Sequence, residues 1–336
     1  MSRLLRVELR RLRARRLVRW AALVTVAVAV LTVVVAYVSS LPTSEAELAE
    51  SRTYYEQARD DWEQNGEEYV AQCEEEQEVA QETDPTADYG CDQMTAPKPE
   101  DFTTQPPTFV GDEGAWPVPG LTTLVQLAPL LTLFALLVGV SFVTAEISTG
   151  AVGLWLTFEP RRRRVYWSKA LAASLGVLPV VLGAYALMAG GAAGAYALNG
   201  QLGDVTASTW AELGAVGGRV AVAAALVAAT GAALGALLKH AAAALGLAVG
   251  WFVVVENVLA VWAPEAQRWL VRTNLTGWVE GGTSYWVNEC TTDTTGSVCE
   301  TVERTVSQTQ GGLVLLGLTV VLSLLAVLVF RRRDVS

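Results

Sequence analysis

Charged residues are scarce in this chain of 336 residues, and histidine is almost missing. Asp, Glu, Lys and Arg make up 17% of the sequence, and His240 is the one histidine. A water-soluble domain usually has about 25% charged residues, so the composition argues against a soluble protein. The chain also has only three lysines and one isoleucine, which is typical of high-GC bacterial coding.

The sequence motifs of several large enzyme classes are absent as well. There is no GxxxxGK[ST] phosphate-binding loop, no HExxH metal motif and no GxSxG nucleophile motif. His240 has no nucleophile pattern around it, and the four cysteines lack the CxxC spacing of a metal site. We therefore expect no catalytic, cofactor or metal site in this chain.

What the chain has instead is long uncharged runs. A bilayer core of about 30 Å needs about 20 helical residues, and six segments meet that length. The predicted spans are residues 20–41, 121–144, 170–197, 211–238, 241–262 and 311–330. The expected fold class is an all-α polytopic membrane protein with six transmembrane helices.

The distribution of basic residues predicts the orientation, because Lys and Arg concentrate on the cytoplasmic side of a membrane. Of the 24 basic residues, 17 lie in segments 1–19, 145–169, 239–240 and 331–336. The segments predicted outside are 42–120, 198–210 and 263–310. The first of these three carries three basic and 21 acidic residues. We expect a cell-membrane protein with both termini in the cytoplasm.

The cysteines agree with this orientation. All four lie in the two large segments predicted outside, where oxidising conditions allow disulfides to persist. Of the three possible connectivities, the simplest pairs Cys73 with Cys91 and Cys290 with Cys299.

The first 19 residues predict an interfacial amphipathic helix. Leu5, Leu9 and Leu12 recur at helical spacing, and arginines occupy the other faces. We expect the leucines to face lipid and the arginines to face anionic headgroups.

Residues 42–120 predict a partly helical extracytoplasmic domain that contains a disulfide. Ser44 and Glu47 have the spacing of a capping box, and Asn65-Gly66 is expected to bend or break the helix that follows. Apolar residues recur every seven positions on this acidic helix: Leu48, Tyr55, Trp62 and Tyr69. This stripe is expected to pack on the second external segment or on a second copy of the chain.

Apart from Glu212 at the edge of the fourth span, two charged residues lie inside predicted spans. Arg219 and Glu256 are each about two turns from the outer end of their spans, the fourth and the fifth. Charges at membrane depth are costly unless they are paired or face a polar path. We expect an ion pair between the two helices.

The most specific stretch is residues 145–171, AEISTGAVGLWLTFEPRRRRVYWSKAL. It resembles the loop between spans two and three of ATP-binding-cassette exporter permeases of the type-2 family. That pattern runs Glu, Gly, a short apolar stretch, Pro, Arg and Lys. Here it falls on Glu146, Gly150, residues 154–156, Pro160, Arg161 to Arg164 and Lys169. The basic first helix, the six spans, the large loop after span five and the terminal Phe330-Arg331-Arg332-Arg333-Asp334 extend the resemblance over the whole chain. Two features depart from it: Phe158-Glu159 replaces the small polar residues usual there, and the first external segment, residues 42–120, is long for the simplest members.

The resemblance implies a permease that performs no ATP hydrolysis itself. Its loop would form a coupling helix that seats on a separate ATPase subunit, with aromatic residues as strong contacts. The implied coupling residues are Glu146, Gly150, Trp155, Phe158, Glu159, Pro160, Arg161, Arg162, Arg163, Arg164, Tyr166 and Lys169. ATP and Mg would bind the partner and not this chain. The implied partners are two ATPase copies, a second permease copy in a homodimer or heterodimer, and the lipid bilayer, but no nucleic acid.

Two other functions are compatible with six spans. One is a membrane sensor or assembly protein that transports nothing and binds a ligand through its acidic external domain. The other is a secondary transporter, against which we count the few intramembrane acids and the lack of an obvious inverted repeat. A sensor needs no coupling-loop pattern, so an exporter permease is the favoured prediction. The sequence does not specify its substrate.

Overall fold

The computed structural model describes residues 2–82, 86–102, 107–110, 124–158, 160–293 and 296–332. Within these ranges it leaves the side chains of residues 2–3, 152, 154–156 and 290–298 undescribed. The chain divides into a large unit, Met1–Ala36 with Thr108–Ser336, and a small unit, Tyr37–Pro107.

Helices dominate both units. The helices are α1 (Ser2–Ala14), α2 (Arg16–Ser39), α3 (Glu45–Gln81), α4 (Pro99–Phe102), α5 (Ala128–Ser148), α6 (Ala151–Phe158), α7 (Arg162–Leu198), α8 (Ala207–Leu238), α9 (Ala241–Gly250), α10 (Glu256–Trp262), α11 (Val271–Glu280) and α12 (Gln308–Arg332). A π-helical turn, Trp251–Val255, joins α9 to α10, and a 3₁₀ segment, Pro264–Trp269, precedes α11. Two strands, β1 (Gly282–Asp293) and β2 (Gly296–Ser307), form an antiparallel hairpin before α12.

The prediction of six membrane spans is confirmed. Among the described residues, six helices are long and apolar enough to cross a membrane: Arg16–Ser39, Leu124–Ser148, Arg162–Leu198, Ala207–Leu238, Ala241–Trp262 and Gln308–Arg332. The third differs most from its predicted bounds, because α7 begins eight residues before residue 170. Three of the four consecutive arginines therefore lie on the first turn of a helix and not in a loop.

The core of the large unit depends on close contact between α5 and α8. A Cβ atom added at Gly231 of α8 would lie 2.7 Å from the carbonyl oxygen of Leu136, and one at Gly139 of α5 would collide with the carbonyl oxygen of Ala228. Glycine at these positions lets the two backbones touch, which is how helices pack closely in membranes. Alanines fill much of the remaining interface, and Ala228 and Ala232 are fully buried.

The leucines of α1 pack on protein, so the expectation that they face lipid is wrong for Leu12. Its side chain is fully buried and fills the space beside Gly176 of α7, with Leu9 next to it. The missing side chain at Gly176 creates the hollow that accepts Leu12. Helix α1 is thus fastened to the bundle through its apolar face.

In the small unit, the capping box is confirmed and the break at Asn65-Gly66 is wrong. Ser44 and Glu47 exchange the reciprocal hydrogen bonds of a capping box, and those bonds from Ser44 lower the pKa of the Glu47 carboxyl. Helix α3 then continues without interruption to Gln81. The Trp62 ring lies so close over Gly66 that a Cβ there would be 2.9 Å from it, so this glycine makes room for the indole.

The heptad-spaced residues of α3 make contacts inside the small unit. The Tyr55 ring meets Phe102 of α4 edge to face at 5.9 Å between centroids, and the rings of Trp62 and Tyr69 are 6.5 Å apart. Leu48 is half-buried, whereas Tyr69 is exposed. Packing of this stripe on another segment or another copy stays a prediction.

The cysteines lie in pairs that are close enough in space to form disulfide bonds. Cys73 of α3 is bonded to Cys91 in a short 3₁₀ turn, with 5.7 Å between their Cα atoms. Cys290 and Cys299 are directly opposite one another in the β1–β2 register, and Cys299 is disulfide-bonded. This hairpin is not among the elements predicted above, although Thr and Val are frequent along its strands and favour β structure.

Replacing Gly231 by alanine tests the α5–α8 contact. We expect Gly231→Ala to lower the free energy of unfolding by about 1–3 kcal/mol, because the added methyl group pushes the two backbones apart. The matched control is Gly218→Ala in the same helix, where nothing lies near the added atom. The control should be neutral or slightly stabilising, since alanine favours a helix interior. Equal stability of both variants in detergent unfolding would contradict the close contact.

Candidate functional site

Five charged side chains form a cluster that joins α1 and the residue after it to α5 and α7. Lys169 donates from Nζ to Glu8 Oε1 at 2.9 Å and also to Glu146 Oε2. Arg15 donates to Glu146 Oε1 at 3.2 Å, and Arg11 lies 3.6 Å from the same oxygen. We call these five residues the ion cluster.

Three of the five residues of the ion cluster are buried, and Arg11 and Arg15 are partly exposed. Glu8 is fully buried, and Glu146 and Lys169 are each only 4% exposed. Arg15 and Lys169 also lie over the Phe142 ring, at 5.0 and 5.3 Å from its centroid. Burial raises the pKa of the Glu8 carboxyl, and attraction to Lys169 opposes that rise. Buried charges persist only when they are paired in this way, so the cluster fixes the positions of the elements that carry it.

The ion cluster contains residues from both sides of α6, the predicted coupling helix. Glu146 lies near the end of α5 and Lys169 in the second turn of α7, and α6 lies between them in the chain. The connection from α5 to α6 turns at Gly150, whose φ of +70° suits glycine and is strained for other residues. The ion pair between Glu146 and Lys169 thus ties together the two ends of the segment that contains α6.

The other predicted coupling residues divide into exposed and buried groups. Phe158, at the end of α6, is 80% exposed, and Pro160 and Arg161 are exposed as well. Tyr166 is buried against α8 and α12 in the same cluster as Val143. Glu146, Tyr166 and Lys169 are therefore internal residues and do not contribute to the surface. Glu159 and the Trp155 side chain lie outside the described part of the structure.

The exposed arginines line an open groove. It has a volume of about 470 Å³ and is bordered by Pro160, Arg161, Arg162, Arg163, Arg164 and Arg331. Arg162 also donates to the carbonyl oxygen of Phe330 at 3.2 Å, which joins the start of α7 to the end of α12. We call this feature the basic groove, and the end of the bundle that carries it the basic end.

Sequence reasoning missed Glu8, Arg11 and Arg15 as members of the site. A signal for Glu8 was present, because it is the only acidic residue among the first 19 and shares a helix face with Leu5 and Leu12. An acid on the apolar face of a basic helix indicates a buried partner. What the sequence could not supply was the partner's identity, since Lys169 is 161 residues away.

Arg219 and Glu256 do not form the ion pair that the sequence predicted. Arg219 donates to the carbonyl oxygen of Val279 at 3.1 Å. Glu256 accepts from the backbone N–H groups of Val271 and Arg272, at 2.8 and 3.1 Å. The backbone groups at the two ends of α11 satisfy both charges, so neither needs the other.

No metal centre is formed by the described residues, because they include no group of three or more His, Cys, Asp or Glu side chains placed to bind an ion. The site brings several structural features together. Its features are six apolar helices, a short helix between the second and third, and an ion cluster that holds the ends of that connection.

These features define a multi-pass membrane protein of the permease class. A family model described as ABC-2 family transporter protein matches residues 8–335, and the chain belongs to this family. The family resemblance predicted from the sequence is thus confirmed, and the chain is the membrane component of such a transporter. Comparison with curated proteins and with solved structures gives no match.

Removing the charge of Lys169 tests the ion cluster. We expect Lys169→Met to lower the free energy of unfolding by about 3–5 kcal/mol, because two buried carboxylates lose their shared cation. Adding Glu8→Gln should restore part of that loss, since Lys169 is the ion-pair partner of Glu8. The control is Lys239→Met, an exposed lysine between α8 and α9. If Lys169→Met unfolds like this control, the cluster is not a stabilising contact.

Proposed function

We propose that the chain is the permease subunit of an ATP-driven exporter in the cell membrane. Two permease copies would form the transport path, and two separate ATPase subunits would bind ATP and Mg. The observation that carries this proposal is the ion cluster. It fastens both ends of the α6 segment to the bundle while the end of α6 and the basic groove stay exposed to a partner.

The basic groove supports docking of an acidic protein surface. Arg161, Arg163 and Arg164 are exposed, and Arg331 from α12 borders the same groove. Arginine forms planar two-point hydrogen bonds with carboxylates, which makes it well suited to an interface of this kind. Phe158 beside the groove adds a large apolar side chain, of the type that contributes strongly to binding. The partner surface is therefore expected to combine carboxylates with an apolar pocket.

The ion cluster supports transmission of force from that partner. A push on α6 reaches α5 through Glu146 and α7 through Lys169, since the two residues are paired. Glu8 carries the same displacement to α1. Because packed helices and paired buried charges respond as rigid bodies, movement of α6 becomes movement of three helices and is not absorbed by a loop.

Uncovered helix faces support a second permease copy. Only 17% of the apolar part of α2 and 11% of that of the fifth span are buried within the chain. Lipid or a second copy must cover the rest. In the proposed orientation the basic end faces the cytoplasm, in agreement with the excess of Lys and Arg there, and the β1–β2 hairpin lies outside.

Reversing charge in the basic groove tests the docking step. A tagged chain is purified in mild detergent from native membranes, and the associated ATPase is identified by mass spectrometry. We expect Arg161→Glu/Arg163→Glu to reduce the recovered ATPase by about tenfold or more, because like charges across an interface cost several kcal/mol.

The matched control carries the same change of charge on α1. Arg10 and Arg13 are exposed and do not border the groove, so Arg10→Glu/Arg13→Glu should recover the wild-type amount of ATPase. Undiminished recovery with the groove variant would refute docking at this surface. Recovery of no ATPase with the wild-type chain would instead refute the exporter proposal and favour the sensor or assembly function.

A further inference from the structure

Helix α11 is held at both ends by charged side chains from two different spans. We propose that Glu256 and Arg219 are positioning residues for transport: they hold α11 closed over the end of the bundle opposite the basic groove, and α11 leaves them when the path opens there. The transport role rests on the exporter proposal, whereas the holding of α11 is a property of the chain alone. We call the two residues the α11 clamp.

The N-terminus of α11 is capped by a carboxylate from the fifth span. The Glu256 oxygens accept from the backbone N–H groups of Val271 and Arg272, and Trp251 Nε1 donates to Oε1 at 3.2 Å. Glu256 is fully buried. Its negative charge lies at the positive end of the helix dipole, where it is stabilised most.

The C-terminus of α11 is held by a cation from the fourth span. Arg219 donates to the carbonyl oxygen of Val279, one residue before the end of α11. The indole N–H of Trp278 donates back to the Arg219 carbonyl oxygen at 2.8 Å. A positive charge at this end completes the electrostatic match to the helix dipole. Each charge would be costly at this depth without its backbone partners.

The residue that caps α11 belongs to a different element, the fifth span, so the cap depends on the position of that span. A helix is usually capped by the residue that directly precedes it, with Ser, Thr, Asp or Asn preferred. Here the preceding residue is Leu270, which makes no capping bond. The cap instead comes from the fifth membrane span. Helix α11 therefore keeps these N-terminal hydrogen bonds only while that span stays in place.

The fifth span has few buried contacts with the rest of its own chain. Of its 22 residues, Ala241–Trp262, only Ala244 and Glu256 are buried. The π-helical turn Trp251–Val255 directly precedes Glu256, and such turns often occur at functional sites. Glu256, which caps α11, is therefore the one buried residue in the second half of this span.

In the closed position of α11, one buried side-chain oxygen lacks a hydrogen bond within the described part of the structure. Asn274, in the middle of α11, is fully buried, and its Oδ1 has no hydrogen-bond partner among the described residues. Its backbone oxygen lies against Gly311 of α12, where a Cβ would approach to 2.5 Å. An unsatisfied buried oxygen raises the free energy of the closed state, which favours an α11 that can be released.

Cysteine labelling measures the closure of α11. Val279 is 1% exposed, and the described cysteines are all in disulfides, so Val279→Cys supplies a reporter thiol. The chain is reconstituted in nanodiscs and labelled with a membrane-impermeant maleimide. We expect Glu256→Gln and Arg219→Gln each to speed labelling about tenfold, the effect of losing one charge-assisted hydrogen bond. Hydrogen exchange should show the same gain at the amides of Val271 and Arg272 in Glu256→Gln.

The matched control is Glu265→Gln, an exposed glutamate in the segment before α11. It removes the same charge and should leave labelling at the wild-type rate. Arg219→Lys keeps the cation and should label more slowly than Arg219→Gln. Unchanged labelling in both clamp variants, with size-exclusion profiles like that of the wild type, would overturn the clamp.

The transport role has its own readout in the complex with the ATPase. In the wild-type complex, trapping the ATP-bound state should speed labelling at position 279. In Glu256→Gln, labelling should already be fast and should not respond to ATP, a result that loss of stability alone would not produce. An ATP response equal to that of the wild type would overturn the positioning role. Failure to recover any ATPase would refute the exporter proposal, while the nanodisc experiment would still decide the clamp.

Discussion

The ammonium group of Lys169, shared by two carboxylates, is the contact on which the arrangement of the basic end depends. Glu8, Glu146 and Lys169 come from three helices and are all buried. Separating any one of them would leave a charge uncompensated in a low-dielectric environment, which costs more than the pair contributes when intact. Together with the packing of Leu12 against Gly176, this cost holds the three helices in one geometry. The position of α6, and of the groove beside it, follows from that geometry.

The same constraint operates at the opposite end with different partners. Arg219 and Glu256 are compensated by the backbone ends of α11, not by one another. A short helix offers several unpaired N–H and C=O groups at its ends, and in an apolar environment those groups need partners as much as the side chains do. The ion cluster is fastened by pairs of opposite charge, whereas the α11 clamp depends on the fifth span, which has little other buried contact. We propose that one end transmits movement and that the other is released by it.

Hydrophobicity and local patterns carried most of what the sequence predicted correctly. The six spans follow from the length of uncharged runs, and the capping box follows from Ser44 and Glu47, because both signals need only neighbouring residues. Predictions that depended on how side chains pack in three dimensions were less accurate. The break at Asn65-Gly66 does not occur because Trp62 covers the glycine, and Leu12 packs on Gly176 and not on lipid. Trp62 lies one turn before Gly66, and Gly176 belongs to a different helix from Leu12, so side-chain packing decided both outcomes.

The sequence by itself determined the class of the protein and its spans, because hydropathy and a local motif depend on residues that are close together in the chain. Only the tertiary structure decided what the predicted site residues do. Glu146 and Lys169, which the motif grouped with the exposed arginines, are internal and hold the loop from within. Arg219 and Glu256, which equal depth suggested as partners, bind opposite ends of a third helix. Buried charges take whichever partner the packed helices bring near, and that choice is made by contacts between residues far apart in the chain.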